Sequence, residues 1–229
     1  MAYTHDDSST VRARAAKLVC LFFFAVAMGY LEAAVVVYLR ELFYPEGFSF
    51  PLRMIESHTL AVEIGREFVT MVMLFTVAWV AGKIFYERLA FFLMVFGVWD
   101  IFYYIWLKVL LGWPAGLAAW DLLFLIPVPW IGPVYSPVAV SLGMITGAGL
   151  VLRRLWSGGV FRPGLREWAI VAGGALLIFL SYVTDQDAGT RFAMPGPYRW
   201  DLLAVGLAAG LYAVIRSLLR TGKEKEPEN

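Results

Sequence analysis

Histidine and cysteine are nearly absent from this chain of 229 residues, and charge is scarce throughout. The single cysteine, Cys20, sits in an apolar run, which excludes an intramolecular disulfide and a thiolate metal cluster. His5 and His58 are too few and too far apart for a bis-histidine haem or a zinc site built mainly from imidazoles. Charged residues make up 16% of the chain, against about 25% in an ordinary soluble domain. The formal net charge is +1, and no basic stripe with interleaved aromatics occurs, so nucleic acid is not an expected partner. There is no nucleotide phosphate loop, nucleophile elbow, His-Glu-x-x-His or Glu-x-x-His motif. The cofactor, if one exists, is unknown from sequence.

What is abundant is apolar: 60% of residues are hydrophobic and the mean hydropathy is +0.70. That excess is too large for one compact soluble core and must face lipid. The predicted fold class is all-α, a polytopic membrane helix bundle, because a helix of roughly 20 apolar residues crosses a bilayer core of about 30 Å. Six such spans are predicted, at residues 18–39, 59–82, 89–111, 134–152, 168–184 and 200–219. Between the third and fourth lies a charge-free stretch carrying Pro127, Pro129, Pro133 and Pro137. Proline removes a helical hydrogen bond and clashes with the preceding turn. A short broken or re-entrant segment at residues 121–130 is therefore expected before the fourth full span.

Arg12, Arg14 and Lys17 followed by an apolar run, with Ala25-Val26-Ala27 imitating a cleavage site, resemble a secretory signal. The run continues to Leu39, well beyond the roughly 7–15 residues of a signal's apolar region, and reads as a retained first helix. The domain reading is a cytoplasmic tail at 1–17, one transmembrane domain at 18–220 and a disordered cytoplasmic tail at 221–229. Cations set the orientation. With the N-terminus inside, Arg12, Arg14, Lys17, Lys83, Arg88, Arg153, Arg154, Arg162, Arg166, Arg216, Arg220, Lys223 and Lys225 all fall on the inner side. A multi-pass protein of the cytoplasmic (inner) membrane with both termini cytoplasmic is expected, its obligate partner being the lipid bilayer.

The informative residues are the charges inside the spans. A charge at the bilayer centre costs about 2.5–3.5 kcal/mol on insertion scales, so such groups must face other helices or water. Glu32 lies in the first span, Glu63, Arg66 and Glu67 open the second, Asp100 lies in the third and Lys108 near its end, and Asp121 starts the broken segment. At about 1.5 Å per residue, Glu32 and Asp100 stand roughly 22 and 18 Å above the inner surface. The other acids enter from the outer side, so all gather in the outer half of the membrane. Glu63, Arg66 and Glu67 share a helix face by their spacing, as do Asp100, Tyr104 and Lys108, and as do Glu32 and Arg40. Five carboxylates set against Arg66 and Lys108 leave acid in surplus, to be protonated, hydrated or paired with a bound cation. The candidate ligand-binding set is Glu32, Arg40, His58, Glu63, Arg66, Glu67, Asp100, Tyr104, Lys108 and Asp121.

Other features are read more plainly. Trp99, Trp106, Trp113 and Trp120 recur every seven residues, with Tyr103 and Tyr104 among them, as interface anchors or a pocket wall. Gly143-x-x-x-Gly147 and Gly206-x-x-x-Gly210 are helix-packing motifs. Gly29-x-x-Glu32 with Leu39-Arg40 echoes Gly97-x-x-Asp100 with Leu107-Lys108, and Trp120-Asp121-Leu122-Leu123 echoes Trp200-Asp201-Leu202-Leu203. Asp185-Gln186-Asp187 is a fragment of a calcium loop without its glycine or terminal glutamate.

The leading functional expectation is a small membrane binding or transport protein with an acid-rich, outward-facing pocket for a cation or a small amphiphilic ligand. The first alternative is an intramembrane enzyme using a buried carboxylic acid, such as Asp100 or Glu67, on a lipid-soluble substrate. The second is a non-catalytic subunit of a membrane complex, with partner subunits or a homo-oligomer. In either alternative or in none, the same charges can serve as ion pairs that lock the helices.

Overall fold

A computed structural model describes residues 8–184, 191 and 193–223, the side chains of 221–223 excepted. Among the described residues six helices are long and apolar enough to cross a membrane, and the chain is a multi-pass membrane helix bundle. They are α1 (Ser8–Phe43), α2 (Ser57–Ala81), α3 (Phe85–Leu111), α4 (Tyr135–Trp156), α5 (Leu165–Val183) and α6 (Trp200–Lys223). Between α3 and α4 the chain forms strands β1 (Trp120–Phe124) and β2 (Trp130–Pro133).

The broken segment is thus an antiparallel β-hairpin. Its register pairs Trp120 with Pro133, Asp121 with Gly132 and Leu122 with Ile131, and shifts between Leu122 and Phe124. The physical reason lies in the prolines: Pro127 and Pro129 forbid a helix there, while the flanking Leu, Phe, Trp and Ile suit a pleated strand. Pairing the two strands with each other satisfies most of the backbone groups that a broken helix would leave bare. Pro137 falls in the first turn of α4, where the missing N–H costs nothing.

The first helix reaches back into the segment 1–17 read from sequence as a cytoplasmic tail. α1 begins at Ser8, and its 36 residues extend for roughly 54 Å, longer than the bilayer is thick. Nothing in Ser8–Lys17 breaks a helix, and its cations find partners on neighbouring helix ends. Lys17 Nζ donates to the Ala81 carbonyl at 2.6 Å, and Arg14 donates to the Trp156 carbonyl at 3.2 Å. At the other terminus α6 runs to Lys223, three residues into the predicted tail, and residues 224–229 lie outside the described residues. So do His5 and Asp185-Gln186-Asp187.

α3 is the hub, packing on α1, α2 and α4, while α5 and α6 form a pair that leans on α4 through α6. Glycines set the closest crossings. A Cβ on Gly29 would stand 3.0 Å from the Trp99 carbonyl of α3, and one on Gly97 would stand 2.7 Å from the Ser141 carbonyl of α4. Gly174 and Gly206 face each other across α5 and α6, each within 2.8 Å of where the other's carbonyl would meet an added Cβ. α2 touches α1 only lightly. That looseness leaves room at the end of the bundle where α1 finishes, α2 begins and the hairpin sits.

Candidate functional site

A cavity of about 250 Å³ opens in that space, near the lower end of the roughly 300–1,000 Å³ typical of small-molecule pockets. Helices α1, α2 and α3 supply three walls, and β1 with the segment after it supplies the fourth. The 44–56 connection covers it: Phe48, Phe50 and Leu52 pack on Trp120, Leu122 and Ile131 of the hairpin. Exposed Arg53, Met54 and Leu60 form the rim.

Eight of the ten predicted site residues line this one cavity: Glu32, Arg40, Glu63, Arg66, Glu67, Asp100, Tyr104 and Asp121. Their contacts follow from the helix spacing. Arg66, one turn from Glu63, donates its Nε–H to Glu63 Oε2 at 2.8 Å and pairs through its Nη1 with Glu32 on α1. Thr70, one further turn along α2, donates its hydroxyl to Glu32 Oε2 at 3.1 Å. Arg40, near the end of α1, donates from Nη2 to Asp121 Oδ1 at 2.9 Å, and the Tyr104 hydroxyl donates to Asp121 Oδ2 at 3.2 Å. The Arg40 guanidinium lies 3.7 Å from the ring centroid of Trp113 and 4.3 Å from that of Phe48, two rings set edge to face. An arginine so stacked and so paired gives up its water at tolerable cost.

Glu67 and Asp100 are held differently. Glu67 takes the Leu125 amide on both carboxylate oxygens, at 2.9 and 3.1 Å, so α2 is clasped to the hairpin by a backbone donor. Asp100 accepts from the Ser141 hydroxyl of α4 at 2.8 Å. Among the described residues no lysine or arginine forms an ion pair with either acid. Five carboxylates line the cavity, yet no trio of His, Cys, Asp or Glu among the described residues is gathered closely enough to chelate a metal ion.

Lys108 and His58 stand apart from the cavity. Lys108 turns to the end of α3 and donates to the carbonyls of Gly112 and Pro114, both at 2.9 Å. A cation on the orphan carbonyls of a helix C-terminus is a favourable cap. His58 is exposed on the first turn of α2. The cations that line the cavity are thus Arg40, Arg53 and Arg66, and Lys108 is not among them.

The Gly-x-x-acid echo corresponds to a shared device. Gly29 and Gly97 each admit a neighbouring helix, and one turn later Glu32 and Asp100 each accept a hydroxyl, from Thr70 and Ser141. The Trp-Asp-Leu-Leu echo has no such counterpart, since Trp120 begins a strand and Trp200 begins a helix. Thr70, missed at the sequence level, continues the Glu63–Arg66–Glu67 face, and that spacing is the signal that could have found it. Ser141, Phe48 and the Leu125 amide carried no comparable signal, because nothing local says which helix or loop will meet Asp100, Arg40 or Glu67.

The fold and this site define a multi-pass integral membrane protein with a partly polar cavity enclosed at one end of its helix bundle. Compared with known protein families, curated proteins and solved structures, the chain matches none.

Proposed function

We propose that this protein is a small binding or transport protein of the cytoplasmic membrane, and that its cavity takes a cation or a small amphiphile carrying an amine. One observation carries the reading: Glu67 and Asp100 line a cavity walled by membrane helices, and among the described residues neither forms an ion pair with a lysine or arginine. An acid at that depth is neutralised by a proton or by a bound cation. The aromatic walls, including Trp99, Tyr103 and Phe124, suit an organic cation, whose charge is drawn to ring faces. The spread of the carboxylates favours such a ligand over a chelated metal. Orientation follows from the cation-rich end, where Arg12, Arg14, Lys17, Arg88, Arg153, Arg154, Arg216 and Arg220 collect. With that end cytoplasmic, the cavity lies in the outer half of the bilayer and opens outward.

The test uses the detergent-purified protein and heptylamine as the probe, with tryptophan fluorescence as the readout. Saturable binding is expected for wild type and a loss of about tenfold or more in affinity for Glu67→Gln with Asp100→Asn, since a charge-assisted contact contributes about 1.5–3 kcal/mol. Undiminished binding by the doubly neutralised variant, or none by wild type, overturns the reading. Uptake into proteoliposomes then separates a carrier from a binding protein.

A further inference from the structure

At the end of the bundle opposite the cavity, an open groove of about 420 Å³ lies between α1, α3 and α4. Arg14 of α1 and Arg153 of α4 line it, and among the described residues no acid does. Arg14 is half-buried and held in place: it donates to the Trp156 carbonyl at 3.2 Å and stands 5.5 Å from the centre of that ring. Arg153 is exposed and forms no ion pair among the described residues. Glu87 of α3 is committed elsewhere, to the Trp156 indole at 3.1 Å and the Lys83 amide at 2.7 Å.

Arg153 is not needed to cap its own helix. The last four carbonyls of α4, from Arg153 to Trp156, are the ones a helix end leaves without partners. Here they accept from the amides of Ser157, Gly159 and Gly158 and from Arg14, in that order. Each is satisfied by a group other than the Arg153 guanidinium, whose donors are left to something outside the protein.

The rest of the groove is apolar. Leu18, one turn along α1 from Arg14, opens the apolar run of that helix, and Leu152 is buried beside Arg153. Met94 stands about 9 Å deeper than Arg88 along α3. Gly149, one turn deeper than Arg153, has nothing within 4 Å of an added Cβ, so the groove continues past Leu152 into the apolar zone. Charge at the membrane surface and an apolar channel running inward from it match the two parts of a lipid.

We propose that this groove seats one anionic phospholipid of the leaflet at the cation-rich end, its phosphate between Arg14 and Arg153 and its glycerol backbone and first acyl carbons against Leu18, Leu152 and Met94. A basic pocket between membrane helices is suited to such a headgroup, and guanidinium donors match phosphate oxygens in pairs. A soluble anion would meet the cations and leave the apolar wall uncovered. A zwitterionic lipid would cover the wall but set its own cation beside two others. The proposal is independent of the cation-binding reading, whose cavity lies at the other end.

The test is native mass spectrometry of the detergent-purified protein, titrated with phosphatidylglycerol, with phosphatidylcholine of the same acyl chains, and with glycerol 3-phosphate. A preference for phosphatidylglycerol over phosphatidylcholine of about tenfold or more is expected, since each surface cation contributes about fivefold toward an anionic lipid. Arg153→Gln should lower phosphatidylglycerol affinity by about fivefold and leave phosphatidylcholine unchanged. Gly149→Leu fills the apolar channel without a clash at its Cβ and should weaken both lipids. Arg12→Gln removes an exposed cation of the same end that does not line the groove, and should change neither. Equal affinity for the two lipids overturns the proposal, as does undiminished phosphatidylglycerol binding by Gly149→Leu. Glycerol 3-phosphate binding as tightly as the lipid would mean that the groove needs no acyl chain, and overturns it too. Equal losses from Arg12→Gln and Arg153→Gln would replace the seat with a diffuse surface field.

Discussion

Arg40 has a cost to meet that its surroundings divide among them: Asp121 takes one nitrogen, and the rings of Trp113 and Phe48 lie 3.7 and 4.3 Å from the guanidinium. With Asp121 only 1% exposed, removing the arginine alone strands a buried carboxylate. Arg40→Ala is expected to destabilise the protein by about 3–5 kcal/mol, measured by denaturation in mixed micelles, and Arg40→Met combined with Asp121→Leu should recover most of that loss. Failure of the double variant to recover would mean that the pair shapes the cavity beyond balancing its own charges. Lys108 makes the contrasting case. Exposed and bonded only to carbonyls at its own helix end, it should tolerate alanine with a loss of about 1 kcal/mol or less. The difference between two cations of one sequence class is a difference in what each touches.

At the scale of the element, the glycines and the hairpin decide the geometry. Gly97→Val places a side chain where only 2.7 Å separates the new Cβ from the Ser141 carbonyl. α4 must then move away from α3, and the Ser141 hydroxyl with it from Asp100. A loss of about 1–3 kcal/mol is expected from overpacking, together with weakened probe binding. Gly210 has nothing within 4 Å of an added Cβ, so Gly210→Ala should be neutral or slightly stabilising, by up to about 1 kcal/mol. Equal damage from both would remove the close-approach argument. The hairpin's link to α2 runs through Glu67 and the Leu125 amide. Glu67→Ala should therefore raise hydrogen exchange at the Leu125 amide while leaving the β1–β2 pairing protected, which amide exchange read by mass spectrometry checks.

For the whole molecule, one end of the bundle gathers the cations and the other gathers the cavity. The cations at the first end also bind the fold together: Arg88 donates to the Gly82 carbonyl at 3.1 Å, and Glu167 takes Arg216 at 2.8 Å. The proposed orientation makes a direct prediction in a Cys20→Ser background. A cysteine replacing Met54, which is 78% exposed at the cavity rim, should react with a membrane-impermeant maleimide added to intact cells. A cysteine replacing Arg154, at the cation-rich end, should react only after the membrane is opened. The reverse pattern would place the cavity on the cytoplasmic side.

Hydrophobic runs of membrane length settled the six helices and their order, because lipid leaves a polar backbone few other ways across. The same pattern marked the span at 18–39 and not the helix around it, since a polar end such as Ser8–Lys17 is invisible to hydropathy although it has no helix breaker. The rarity of charge in this part of the chain picked out seven charged residues that line one cavity, because an intramembrane charge needs a protein or water neighbour. Pairing was beyond sequence. Which acid meets Arg66 or Arg40, and which form no ion pair, depend on how helices rotate and how closely glycines let them approach. Those contacts join residues as distant as Arg40 and Asp121, and only the packed bundle and its hairpin bring them within 2.9 Å.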